Sequence, residues 1–189
     1  MSTGPNEIEI LTPHGGTESN SLLHVLNLDA ISDVDLLNNE PQIMKPSPYY
    51  DTDEFISYLK SKQNLFTVLS FNSQSLNAKF DELLLFTETL NQNNCCLSAI
   101  CIQETWFDDI SDTSRFNLEG YNLISQGKHC SEKGGLLIYL RNSFSHKVLK
   151  LSEKSNIWEG QFIEINNNKM PQKIVIGNLY RPPRDLNAK

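Results

Sequence analysis

LSAICIQETW, residues Leu97 to Trp106, is the stretch from which the rest of the chain can be read. Leu97 to Ile102 is apolar almost throughout and carries β-branched Ile100 and Ile102. That is the pattern of a strand covered on both faces. Gln103, Glu104, Thr105 and Trp106 follow at once, so a carboxylate sits where a buried strand surfaces. In α/β proteins ligand sites are built at strand ends. The same position also suits a solvated carboxylate that caps the next segment, and on this stretch alone both readings stand.

Upstream, Leu65–Phe71 (LFTVLSF) reads as a second strand, followed by the polar, turn-prone Asn72-Ser73-Gln74-Ser75. From Asn77 or Ala78 to about Asn91, Phe80, Leu83, Leu84, Phe86, Thr87 and Leu90 fall on one helical face, with Asn77 as the expected N-cap. Strand, turn, helix and strand make a βαβ-like unit. Before it, Asp51 with Glu54 three residues on forms a capping box for a short helix over Thr52–Ser61, with Phe55, Tyr58 and Leu59 on one side. After Trp106, residues 107–117 read as a loop with a helical turn. Strands are expected at Tyr121–Ser125, Gly134–Leu140, His146–Leu151, Ile157–Ile165 and Lys173–Tyr180, the last two joined as an antiparallel hairpin by the turn Asn166–Pro171. The expected class is therefore α/β: a sandwich with mostly antiparallel sheets and flanking helices.

The 189 residues suffice for one domain with a tail. Acidity is confined to the start, with ten acidic and two basic residues through Lys60, against thirteen and fourteen after it. Residues 1–50 are read as a disordered acidic segment and linker, and residues 51–189 as the folded unit. Within the first part, Ser, Thr, Gly, Asn and Pro dominate residues 1–20. Leu22, Val25, Ile31, Val34 and Leu37 have the spacing of a weak amphipathic helix or partner-binding segment, and Pro41, Pro46 and Pro48 punctuate a linker. No apolar run is long enough to span a bilayer, and the start lacks the basic and apolar regions of a secretory signal. Cys95, Cys96, Cys101 and Cys130 match neither zinc spacing nor a disulfide ladder. They read as reduced thiols in an intracellular protein, of nucleus or cytoplasm, with no membrane partner.

Three polar residues close separate buried strands: Asn72 after LSF, Glu104 after ICIQ, and Tyr180 at the end of IVIGNLY. An amide, a carboxylate and a phenol at strand ends can share one pocket. A carboxylate with an amide and waters is the sparse oxygen set that Mg²⁺ uses when substrate phosphate completes its shell.

LSFNSQSL, ICIQETW, GYNLISQG, GGLLIYLRN and IGNLYRPP occur in this order over about residues 65–183. With QETW and YRPP together, the chain resembles the endonuclease/exonuclease/phosphatase superfamily. More narrowly, it resembles the apurinic-type endonuclease domain of non-LTR (LINE-type) retrotransposons. The resemblance implies an incomplete four-layer, DNase I-like α/β sandwich. It also implies a DNA partner and Mg²⁺, replaceable by Mn²⁺, as cofactor. Glu104 would be the metal ligand, Asn72 would position metal or phosphate and serve as a second ligand, and Tyr180 would contact the phosphate. Gln103 would support Glu104 from behind, and Arg181 would meet DNA phosphate, a role that a plain surface arginine equally explains. The implied reaction is DNA phosphodiester hydrolysis, a nick whose 3′-hydroxyl primes reverse transcription.

The family also uses an Asp/Asn pair in a GDFN-like motif and a terminal Asp/His pair, and neither is found here. Asp185-Leu186-Asn187 echoes the first but follows Pro182 and Pro183 instead of a buried strand. The chain is therefore expected to be a C-terminally truncated fragment, inactive by itself and prone to aggregate through exposed strand faces. The competing readings are a non-catalytic remnant that binds nucleic acid or a partner, and a phosphatase of the same superfamily. His129 reads as a solvated loop residue, His146 as surface, and Trp106 and Trp158 as core or rim packing. Gly134-Gly135 reads as a turn into a strand, since no helix follows to make it a phosphate loop.

Overall fold

The computed structural model describes residues 8–13, 23–26, 49–62, 65–108, 111–128, 132–150, 157–166 and 173–182. In chain order the elements are β1 (Ile8–Pro13), β2 (Leu23–Leu26), β3 (Tyr49–Tyr50), α1 (Thr52–Ser61), β4 (Phe66–Asn72), α2 (Leu76–Gln92), β5 (Ala99–Gln103), β6 (Tyr121–Gln126), β7 (Leu136–Arg141), β8 (Ser145–Leu149), β9 (Glu159–Asn166) and β10 (Ile174–Tyr180). A 3-10 turn at Ser114–Phe116 interrupts the loop after Trp106. The fold is mixed α/β with two sheets. One has seven strands in the order β3-β2-β1-β4-β5-β7-β6, and the other is the three-stranded meander β10-β9-β8. Only β1–β4 and β4–β5 pair in parallel; the remaining pairs are antiparallel.

Strict alternation divides the large sheet between two cores. Leu69, Ile100, Ile102, Leu137 and Tyr139 face the helices. They pack with Phe55, Ile56 and Leu59 of α1 and with Leu76, Phe80, Leu83 and Leu90 of α2. Phe66, Val68, Ala99, Cys101, Ile138 and Leu140 face the second sheet and meet Ile163, Ile165 and Ile176. The layers are thus helix, sheet and sheet, and β5 is buried on both faces as its composition demands. The outer face of the small sheet leaves Val175 and Leu179 exposed, and Ile157, ahead of β9, is exposed as well.

Helix α1 begins at the expected capping box: the Glu54 amide donates to the Asp51 carboxylate at 2.9 Å, and the Asp51 amide donates to the Glu54 carboxylate at 3.1 Å. Helix α2 starts earlier than the Asn77 cap predicts. Its N-cap is Ser75, whose side chain makes no capping bond. The free amides of the first turn are met from outside the helix instead. Ser75 N–H donates to Glu104 C=O at 2.9 Å and Leu76 N–H to Thr105 C=O at 3.4 Å.

Two further differences lie near the start. Ile8–Pro13, within a stretch whose composition predicts no regular structure, is a strand that pairs in parallel with β4. Leu23–Leu26, within the helical spacing over Ser21–Asn38, is extended and pairs with β1. The open edge of β4 offers a ladder that local composition does not register. The proline linker, the rest of the amphipathic segment, His129, Cys130, the turn after β9, and Asp185-Leu186-Asn187 lie outside the described residues. Cys95, Cys96 and Cys101 are free thiols. Among the described residues no helix is long and apolar enough to cross a membrane.

Candidate functional site

Strands β4 and β5 run side by side in the same direction, with Asn72 paired to Gln103 in register. Both strands therefore end at one level, and the next residue of β5 is Glu104. Asn72 Nδ2 donates to Glu104 Oε1 at 2.7 Å, while Asn72 Oδ1 accepts the Gln74 amide at 3.0 Å. These two bonds fix the amide's orientation, because the carboxylate needs a donor and the Gln74 N–H needs an acceptor. Asn72 is exposed and Glu104 half-buried, so the pair is open to solvent.

The backbone around this pair is unusual. Glu104 has φ +53° and Trp106 φ +62°, with Gln74 at +47° and Ser75 at +90° across from them. Of the five non-glycine residues with positive φ among the described residues, only Asn94 lies elsewhere. A left-handed conformation costs an L-residue roughly 1–2 kcal/mol. It persists only where the surroundings over-determine it, and such positions gather at functional sites. The determinants are visible here. Glu104 C=O accepts from Ser75 N–H at 2.9 Å and from Ser73 Oγ at 3.0 Å. Thr105 N–H donates to Gly135 C=O at 3.2 Å and Trp106 N–H to Gly134 C=O at 2.9 Å. Gly135 itself has φ +94°, and a Cβ there would collide with Thr105 Oγ1. The glycine pair is thus a turn into β7, as read, and it is also the far wall of the Glu104 loop.

Gln103 faces the second sheet. Its Nε2 donates to Ser70 Oγ at 3.1 Å and to Asn178 Oδ1 at 2.5 Å. Asn178, buried on β10, returns two bonds from Nδ2, to Ile102 C=O at 3.0 Å and Leu137 C=O at 3.1 Å. Gln103 therefore ties the sheets together directly behind Glu104. Tyr180 ends β10, buried, opposite Glu159 of β9 in register. Glu159 is buried in turn, and its Oε2 accepts the Gly135 amide at 2.6 Å. The Tyr180 end of β10 is thereby linked, through β9 and the glycine turn, to the loop that carries Glu104. Arg181, the next residue after Tyr180, is exposed. Trp106 and Trp158 lie at the rim, at 40% and 36% exposure, and His146 is half-buried.

Asn178, Glu159 and Thr105 have no place in the sequence reading of the site. A signal for the first two exists. Counting by twos from Ile163 and Ile165, or from Ile174 and Ile176, puts Glu159, Gln161, Asn178 and Tyr180 on the buried face. Thr105 carries no such mark.

Among the described residues no three His, Cys, Asp or Glu side chains gather into an all-protein metal cage. One carboxylate with a neighbouring amide fits Mg²⁺, which keeps most of its waters and takes its remaining ligands from phosphate. It does not fit zinc, which is held by a closed nitrogen and sulfur set. The chain matches no protein-family profile and no curated protein sequence. Among solved structures it is similar to the crystal structure of AP endonuclease LMAP from Leishmania major. The TM-score is 0.46 and the identity 12%, over 60% of this chain and 39% of that one.

Proposed function

We propose that residues 51–189 belong to a Mg²⁺-dependent DNA endonuclease domain of the retrotransposon type, acting in the nucleus or cytoplasm, and that they supply one wall of its active site. The observation that carries this reading is the Asn72–Glu104 hydrogen bond, held at two adjacent strand ends by strained backbone on both sides. Asn72 occupies Glu104 Oε1 and leaves the other carboxylate oxygen outside that bond, available to a cation. Mg²⁺ bound there would neutralise charge developing on a phosphodiester during in-line attack by water. Asn72 orients the carboxylate, Gln103 and Asn178 hold the end of β5 behind it, and Tyr180 and Arg181 provide a phenol and a guanidinium for the DNA phosphates. Among the described residues no group of three His, Cys, Asp or Glu side chains forms around Glu104, and none of them is assigned here as a base for water.

The test uses the full chain. Mn²⁺ titration followed by electron paramagnetic resonance should show a site whose affinity falls about tenfold or more in Glu104→Ala. Supercoiled plasmid with Mg²⁺ should remain intact with both proteins. Equal Mn²⁺ affinity in the two proteins overturns the assignment of Glu104. Nicking by the parent chain that Glu104→Ala abolishes overturns the expectation that the chain does not cut DNA by itself.

A further inference from the structure

Among the described residues Glu159 is the only acidic or basic side chain that is buried, with 0% of its surface exposed. A carboxylate removed from water is costly unless it is hydrogen-bonded. Glu159 lies against a peptide unit that has space for it. Its Oε2 accepts the Gly135 N–H at 2.6 Å, and a Cβ on Gly134 would occupy the volume of the same carboxylate. The carbonyl of that same peptide unit, Gly134 C=O, accepts the Trp106 N–H at 2.9 Å. Carboxylate, peptide unit and Trp106 amide thus form one chain of hydrogen bonds, in which each bond polarises the next. The adjoining bond from Thr105 N–H to Gly135 C=O runs beside it.

We propose that Glu159 is a positioning residue. Its carboxylate grips the Gly134–Gly135 peptide and, through it, the backbone of Thr105 and Trp106. Glu104, bonded from its other side by Ser73 and Ser75, is thereby held in the left-handed conformation that sets its carboxylate beside Asn72. The consequence for a divalent cation rests on Glu104 being its ligand; the grip on the loop does not.

Two measurements on the full chain separate these parts. The first is amide hydrogen exchange without metal. Exchange at Trp106 should be about tenfold faster in Glu159→Ala, which loses a charge-assisted bond, and only ~3-fold faster in Glu159→Gln, whose amide oxygen still accepts. Gly134→Ala, which displaces the carboxylate while keeping it, should behave like Glu159→Ala. Ile138, in the adjacent core, should exchange at the parent rate in all three. If Glu159→Ala does not fold, as lost protection at Ile138 would report, Gly134→Ala and Glu159→Gln carry the comparison. Parent-like exchange at Trp106 in a folded Glu159→Ala or Gly134→Ala overturns the proposal. The second measurement is Mn²⁺ affinity, expected to fall about tenfold in Glu159→Ala and Gly134→Ala and to recover in Glu159→Gln. Unchanged affinity alongside faster exchange overturns the coupling to the cation. A parent chain whose Mn²⁺ affinity is indifferent to Glu104→Ala sinks the endonuclease reading and leaves the grip on the loop to the exchange data.

Discussion

At the scale of residues, Glu104 sets side-chain chemistry against backbone comfort. At φ +53° a glycine is at ease and any residue with a Cβ is strained. Two variants that both lack the carboxylate therefore should differ. Glu104→Gly is expected to be more stable than Glu104→Ala by about 1 kcal/mol, or ~2–4 °C in Tm for a chain of this size, as read by thermal unfolding. The opposite order would show that the loop relaxes out of the left-handed region. That Asn72 and Glu104 could share one pocket was legible in the sequence, because both follow runs that read as buried strands. The strain was not, because nothing in QETW distinguishes a left-handed glutamate from an extended one. It arises from the Ser73 hydroxyl, the Ser75 amide and the carbonyls of Gly134 and Gly135, residues distant in the chain.

At the scale of elements, β10 is where polar and apolar roles meet. Ile176 packs between the sheets, and two residues on, Asn178 bonds the carbonyls of Ile102 and Leu137 and the side chain of Gln103. Truncation would remove the Asn178 amide from both carbonyls and leave Gln103 with Ser70 as its side-chain partner. Asn178→Ala is expected to cost about 2–3 kcal/mol, measured by urea unfolding. Adding Gln103→Ala should cost less than the sum of the single changes, because the two side chains share a bond. Strictly additive costs would mean that the 2.5 Å contact carries no weight. The strands and helices themselves were readable from periodicity and from the Asp51 cap. The start of α2 was not, since its amides are satisfied by the end of β5, a tertiary contact that no local capping rule contains. Neither were β1 and β2, whose pairing depends on the free edge of β4.

At the scale of the whole molecule, strand order is the part the sequence conceals. β7 enters between β5 and β6, so two strands adjacent in space are separated by a third in sequence. This crowding buries titratable groups. Burial pushes the Cys101 thiol from 9.0 up to about 12 and the Tyr121 phenol from 10.0 up to about 12, and raises Tyr139 as well. Each group is harder to ionise folded than unfolded. The contribution of these groups to stability is therefore level below pH 9.0, then falls as the unfolded thiol and phenols ionise first, and declines up to about pH 12. Urea midpoints measured from pH 8 upward should stay level and then drop. In Tyr121→Phe the midpoint should start lower, because the hydroxyl bridges the amide and carbonyl of Leu97, and should fall less steeply above pH 10. A parent midpoint that stays level through pH 11 would contradict the burial of these groups.

The facing surfaces of the two sheets also change character along their length. Ile163, Ile165 and Ile176 close one end by apolar contact, and Glu159, Gln161, Asn178 and Tyr180 close the other. Apolar packing has no partner to lose to water until the whole face parts, whereas each directional bond at the polar end can be exchanged singly for a bond to water. The sandwich is thus bound like a book, with its spine at the isoleucines and its fore-edge beside Glu104, and local opening is expected to start at that edge.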